Sequence, residues 1–210
     1  MDLMSIRRGL MSRAKKSILP KECQQVLWIK ASDGAYVDTG YVPTKNTTVL
    51  LDYELSSNMS GMKTLFGLSS GANLRAEIRY GSRWNCYANG YMWNNPTSMH
   101  GIGNKAGTRF NMSLNGNVFK INEHEVTGPP AWNATSLSAF LFAGNDNGAP
   151  SQNISDMMLY SFKLFESGEK SLDLVPCYRK SDDEIGLYDI VRSVFLTNAG
   201  TGTFLKGADV

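Results

Sequence analysis

From Gln24 onward, apolar residues recur at every second position, and that alternation restricts most of the chain to strands. In TTVLLDYEL, residues 47 to 55, Val49, Leu51, Tyr53 and Leu55 fall on one face while Thr48, Leu50, Asp52 and Glu54 fall on the other. A half-buried strand has this period, whereas an amphipathic helix would repeat its apolar residues at three- and four-residue steps. Short segments of similar kind follow: KTLFGLSS, LRAEIRYG, RWNCYANG, YMWNN, TRFNMSLN, NVFKIN, HEV, AFLFAGN, MMLYSFKLF, LDLVPCYR, IGLYDIV and SVFLTN. QVLWIK and AYVDTGYV precede them, separated by the turn residues Ser32-Asp33-Gly34. Turn signals recur at intervals of about ten residues, the spacing of a meander. Asn115-Gly116 is a strong hairpin turn between two of the segments. No helical pattern of useful length appears after Pro20. The expected fold is all-β: two antiparallel sheets sharing one core, as a sandwich or jelly roll.

The 20 glycines and the 10% aromatic content suit many short strands joined by tight turns. No apolar run reaches membrane-spanning length. Cys23, Cys86 and Cys177 are odd in number and far apart, without a C-x-x-C pair. They predict reduced, buried thiols rather than a zinc site or a disulfide framework. No metal or other cofactor is expected.

Charge is unevenly placed. Within residues 1 to 21, Arg7, Arg8, Arg13, Lys15, Lys16 and Lys21 stand against Asp2 alone, so the rest of this +2 chain is mildly acidic. Leu3, Ile6, Leu10, Ala14 and Ile18 recur at near-helical spacing between the basic residues, and Pro20 ends the pattern. Residues 1 to 20 thus predict a short basic helix or arm preceding a β domain at 21 to 210. Alone in water such a helix is marginal, so it needs a surface. Its own domain, another subunit of an assembly, or a nucleic acid or membrane surface would each serve. The reading adopted is docking to a partner subunit through Leu3, Ile6, Arg7, Arg8, Leu10, Arg13, Lys15 and Lys16, with neither a specific nucleic acid nor a membrane as partner. The segment lacks the interleaved aromatics that bind single strands.

RWNCYANGYMWNN places Trp84, Tyr87, Tyr91 and Trp93 among asparagines. Sugars stack their apolar faces on aromatic rings while amides bond their hydroxyls. Trp84, Asn85, Tyr87, Tyr91 and Trp93 are therefore candidate carbohydrate contacts, with core or interface packing as the alternative. Alternation puts Trp84, Cys86 and Ala88 on one side and Asn85 and Tyr87 on the other. Asp146 and Asn147 in GNDNGAP could shape a loop site or a plain turn. Catalysis finds little support. Glu123 and Glu125 flank His124 and could share a face, as glycosidase carboxylates do, but they sit near an expected hairpin. His100 and His124 lie in no nucleophile or metal motif. Ser181-Asp182-Asp183-Glu184 reads as a solvated turn, because its carboxylates are adjacent rather than spaced as calcium ligands.

DLVPCYRKSDDEIGLYDIV, followed by FLTNAGTGTF, resembles the C-terminal signature of a family of phage and prophage proteins with a concanavalin A-like, laminin-G-like jelly-roll domain. The opening LPKECQQVLWIKASDGAYVDTGYV is similar to that family's first strands, and LFAGNDNGAP to its central strand and loop. Cys23 and Leu27 depart from the Tyr and Glu usual there. The resemblance covers roughly residues 19 to 207 and implies a jelly-roll fold in a virion context. The expectation is a non-enzymatic structural protein, in capsid decoration, a head fibre or a tail. It would be anchored by residues 1–20, assembled in the bacterial host, and would display its sandwich for glycan or host-surface attachment. It could form a homo-oligomer, trimeric in a fibre. A free carbohydrate-binding lectin is the alternative, and a glycoside hydrolase the less favoured one.

Overall fold

The computed structural model describes residues 18–70, 75–80, 84–88, 91–94, 102–128, 136–151 and 153–210. Residues 1–17 of the basic segment, with all eight candidate anchoring residues, lie outside these, as does His100. Among the described residues there are nineteen strands and no helix. In chain order they are β1 (Cys23–Gln25), β2 (Ile29–Ala31), β3 (Val37–Asp38), β4 (Thr47–Leu55), β5 (Lys63–Ser69), β6 (Arg75–Tyr80), β7 (Trp84–Ala88), β8 (Tyr91–Asn94), β9 (Arg109–Asn115) and β10 (Val118–Ile121). There follow β11 (His124–Thr127), β12 (Phe140–Leu141), β13 (Gly144–Asp146), β14 (Ala149–Ser151), β15 (Met157–Glu166), β16 (Glu169–Arg179), β17 (Glu184–Asp189), β18 (Val194–Leu196) and β19 (Phe204–Lys206).

They build the two-sheet jelly-roll sandwich that the alternation predicts. The larger sheet runs β11-β10-β9-β4-β15-β16-β17-β18, with β1 on β16, and β2 pairing both β15 and β19. The smaller runs β14-β13-β5-β6-β7-β8, with β12 on β5 and β3 on β12. Pairing is antiparallel except where β13 runs parallel to β5. Val49, Leu51, Tyr53 and Leu55 of β4 face inward as expected, joined by Leu159, Phe162 and Leu164 of β15 and by Phe66, Leu68 and Ile78 of the smaller sheet. Phe66 and Phe162 meet between the sheets with ring centroids 5.1 Å apart. Tyr53 is wholly buried, and its hydroxyl donates to the Gly103 carbonyl at 2.7 Å.

Three expected elements differ, each for a physical reason. QVLWIK is two strands, because the chain changes partner within it: β1 lies on β16, and β2 on β15 and β19. Leu27, at the crossing, is half exposed. AFLFAGN cannot be one strand, since β12 runs antiparallel to β5 and β13 parallel to it. The reversal occurs at Phe142, whose φ is +70°. The hairpin expected at Asn115-Gly116 is shifted by one residue: Asn115 pairs with Val118, and Gly116-Asn117 form the loop.

The C-terminal signature is a clasp. β16 and β17 form a hairpin whose turn is tied by Arg179 to Asp182 at 2.5 Å. The next turn is organised by Asp189, which is fully buried. Its Oδ1 accepts from the amides of Asp173 at 3.1 Å and Val191 at 3.0 Å, and its Oδ2 accepts from Arg192 Nε. The glycine pattern at Gly200 and Gly202 predicts a sharp exit of the chain from the sheet. Their requirement is instead close approach: a Cβ on Gly200 would collide with the Gly34 carbonyl, and one on Gly202 with the Asp33 carbonyl. Asn198 fastens the contact, accepting from Tyr36 N at 3.2 Å and donating to Gly202 O at 2.6 Å. The two ends that carry the family resemblance are therefore one assembled unit.

Candidate functional site

The outward positions of the larger sheet divide into two territories. Over β16 and β17 they are apolar and covered: Val175 and Cys177 pack with Leu19 and Cys23, and with Tyr188, Ile190 and Phe195. The two thiols share this cluster. Burial, followed by the neighbouring Cys23, pushes the Cys177 thiol up to about 12. Cys23 and Cys177 are both free and buried.

Over β10, β9, β4 and β15 the outward positions are polar and open, and they form a groove of about 360 Å³. Register assembles it from segments far apart in sequence. One row crosses six strands as Glu125, Lys120, Ser113, Leu50, Lys163 and Asp173. The next row contains Asn111, Asp52 and Ser161. Asn122 closes one end: its Oδ1 accepts from Asn111 N at 2.9 Å, and its φ is +49°. The third row pairs Arg109 with Glu54.

A bulge in β15 between Leu159 and Ser161 turns Tyr160 toward this third row. Its hydroxyl donates to Glu54 Oε2 at 3.0 Å, and the guanidinium of Arg109 lies 3.8 Å from its ring centroid. Arg109 also forks onto Asp52, with Nε and Nη2 donating at 2.8 and 2.7 Å. Burial and the Glu54 carboxylate raise the Tyr160 pKa; the bond to Asp52 raises that of Arg109. The acids of the groove are thus occupied from within. Among the described residues, the Lys120 and Lys163 ammoniums, the Ser113 and Ser161 hydroxyls, the Asn111 side-chain amide and Asn122 Nδ2 make no hydrogen bond or ion pair. These are donors and acceptors with no bonding partner among the described residues.

The aromatic candidates lie elsewhere. Trp84, Asn85 and Tyr87 are on β7, and Tyr91 and Trp93 on β8, the edge of the smaller sheet. Register sets Cys86 between Ile78 and Trp93, Tyr87 between Glu77 and Met92, and Asn85 opposite Asn94. Backbone pairing therefore brings the five onto one hairpin of the smaller sheet, whereas the groove lies on the larger one. Asp146 ends β13, and Asn147-Gly148 make the turn to β14, so this loop is a hairpin turn. Glu123 is in the turn before β11, and His124 and Glu125 are on that strand, all three exposed.

Sequence reading missed two arrangements. Asp52 and Glu54 share the outer face of β4, a carboxylate pair on one strand, with their partners supplied by Arg109 and Tyr160. On β6, Glu77 and Arg79 form a buried pair with Arg79 Nη1 3.7 Å from Glu77 Oε2. The groove itself left one trace in the sequence, Leu50, an apolar residue at an outward position of an alternating strand.

No protein-family model matches the sequence, and no curated protein matches it. Solved structures do. A candidate carbohydrate-binding protein from Bacteroides ovatus superposes with a TM-score of 0.54 at 10% identity, over 89% of this chain and 62% of that one. A complex of NanB with optactamide superposes with a TM-score of 0.50 at 14% identity, over 72% of this chain and 26% of that one. NanB is a sialidase of Streptococcus pneumoniae. The chain thus spans less than two thirds of each, and at these identities the likeness establishes the shared β-sandwich.

Proposed function

We propose that this chain is a non-catalytic carbohydrate-binding module whose saccharide lies in the groove over β10, β9, β4 and β15. The observation that carries the reading is the uncommitted polar lining. Amide, hydroxyl and ammonium groups from three strands and the turn at Asn122 converge on one open surface, where sugar hydroxyls can supply their missing partners. Leu50 provides an apolar patch among them for a pyranose face. The similarity to a candidate carbohydrate-binding protein supports the same reading. Glycosidase chemistry needs one carboxylate free to attack or activate water and a second to protonate the leaving oxygen. Both Asp52 oxygens are engaged by Arg109, and Glu54 holds the Tyr160 hydroxyl, so this pair serves to shape the surface.

A glycan array probed with the full chain tests the proposal. Binding of a saccharide that falls about tenfold or more in Asn111→Ala, consistent with loss of one or two hydrogen bonds, and that is abolished by Leu50→Arg, which fills the groove, is the expected result. Binding unchanged in both variants but lost in Trp93→Ala would move the site to the β7–β8 hairpin.

A second reading makes the same module part of a phage particle, in which residues 1–20 attach it to another virion subunit and many displayed copies give avidity. It is supported by the resemblance of both chain ends, and by their meeting in one clasp. Deleting residues 1–17 should leave a folded, glycan-binding body that no longer incorporates into particles. Normal incorporation of the truncated protein would overturn this reading.

A further inference from the structure

We infer that the groove selects acidic saccharides, whose carboxylate or sulfate groups bridge Lys120 and Lys163; this inference rests on the groove being the glycan site. The argument is one of charge accounting. Of the acids on this face, Asp52 is paired with Arg109 and Asp173 with Lys170 at 2.8 Å, while Glu54 keeps its charge but lies two rows from the lysines, bonded by the Tyr160 hydroxyl and acting on Arg109. Glu125 stands opposite Lys120 at the outer rim, exposed, and forms no ion pair with it. The two lysines are left as half-buried cations on the groove wall with no ionic partner among the described residues.

Their spacing suits a chain-like anion. Lys120, Ser113, Leu50 and Lys163 occupy one row on four adjacent strands, so the two lysine backbones stand about 14 Å apart. Long side chains can close that span from both sides. An oligosaccharide lying across the strands would rest on Leu50, meet Ser113, Asn111 and Ser161 with its hydroxyls, and present acidic groups to an ammonium at either end. Charge-assisted bonds of this kind are about twice as strong as neutral ones, so the acidic groups decide selectivity.

The test uses the full chain and three acid–neutral pairs: oligogalacturonate and its methyl ester, a sialylated oligosaccharide and its asialo form, and dextran sulfate and dextran. At least one acid should bind ten or more times more tightly than its neutral counterpart. That preference should shrink about tenfold in Lys120→Gln or Lys163→Gln, and be unaffected by Lys45→Gln, an exposed lysine in the loop before β4. Neutral members binding as tightly as acids, with Asn111→Ala still harmful, would overturn the inference and leave the groove as a neutral glycan site. Acid binding that is equally insensitive to Lys120→Gln, Lys163→Gln and Asn111→Ala would overturn it as general electrostatic attraction. No binding in any pair would overturn it too, and the full glycan array then decides separately whether the groove binds sugar.

Discussion

Two parts of one sheet face have opposite fates. Over β16 and β17 the outward residues are apolar, and the chain's own Leu19 packs on them, beside Cys23 of the neighbouring β1. Over β9, β4 and β15 the outward residues are mostly polar, with Leu50 the apolar residue in the groove, and no described segment covers them. The strands are continuous neighbours in the same hydrogen-bonded ladder, so backbone geometry is common to both. What differs is side-chain chemistry at alternate positions. An apolar outward row recruits a covering segment because burial stabilises it, at about 25 cal/mol per Å². A polar row gains nothing from such a cover and stays open to a ligand.

The strongest way to break this comparison is to exchange chemistry between the two territories. Cys177→Asp places a carboxylate inside the covered patch and should destabilise the fold by ~3 kcal/mol or more. Ser113→Asp, on the open side, should change stability by less than about 0.5 kcal/mol. Urea midpoints for the two variants read this directly, and equal losses would mean that the open territory is itself a packed surface.

A smaller effect is expected at the strand ends beside the groove. Glu166 accepts hydroxyl bonds from Thr44 at 2.5 Å, Tyr41 at 2.8 Å and Thr47 at 2.9 Å. Burial alone would raise its pKa, but these three donors outweigh it and hold the carboxyl below the usual range. With the folded value depressed, the stabilisation is complete above the ordinary glutamate range and is lost as pH falls through the folded value. Thermal midpoints of wild type and Glu166→Gln should therefore differ most near neutrality and converge in acid. A gap that widens on acidification would contradict the assignment.

A small effect on stability is also expected for Arg109→Ala. The residue is half exposed and its pair with Asp52 is screened by water, so the loss should stay under about 1 kcal/mol. Its effect on glycan affinity should be the larger one, because Asp52 and Tyr160 lose the group that positions them. Large destabilisation with unchanged affinity would recast the Arg109 cluster as structural support.

The sequence made the long strands readable because their cues are local. β4 alternates over nine residues, and its inward set is the one the pattern predicts; β15 runs for ten, with its alternation interrupted by the bulge at Tyr160. β3 and β12 are two residues long, too short for any period to register. The reversal at Phe142 depends on a large aromatic residue with positive φ, which no propensity argument would choose. The aromatic hairpin stood out because its rings are contiguous in sequence. The groove did not, since residues 50, 113, 120 and 163 become neighbours only through register across four strands.

The interlocking of the chain's two ends has a consequence for its biogenesis. β1 completes its ladder on β16, β2 on β19, and the loop at Gly34 seats against Gly200 and Gly202. Strands made first therefore wait for partners some 150 residues downstream. Such long-range pairing folds slowly. On the ribosome the early strands would have to be kept from aggregating until the closing segment has emerged, so chaperone dependence and yield should respond to changes near residue 200 more sharply than stability measurements on the finished protein would suggest.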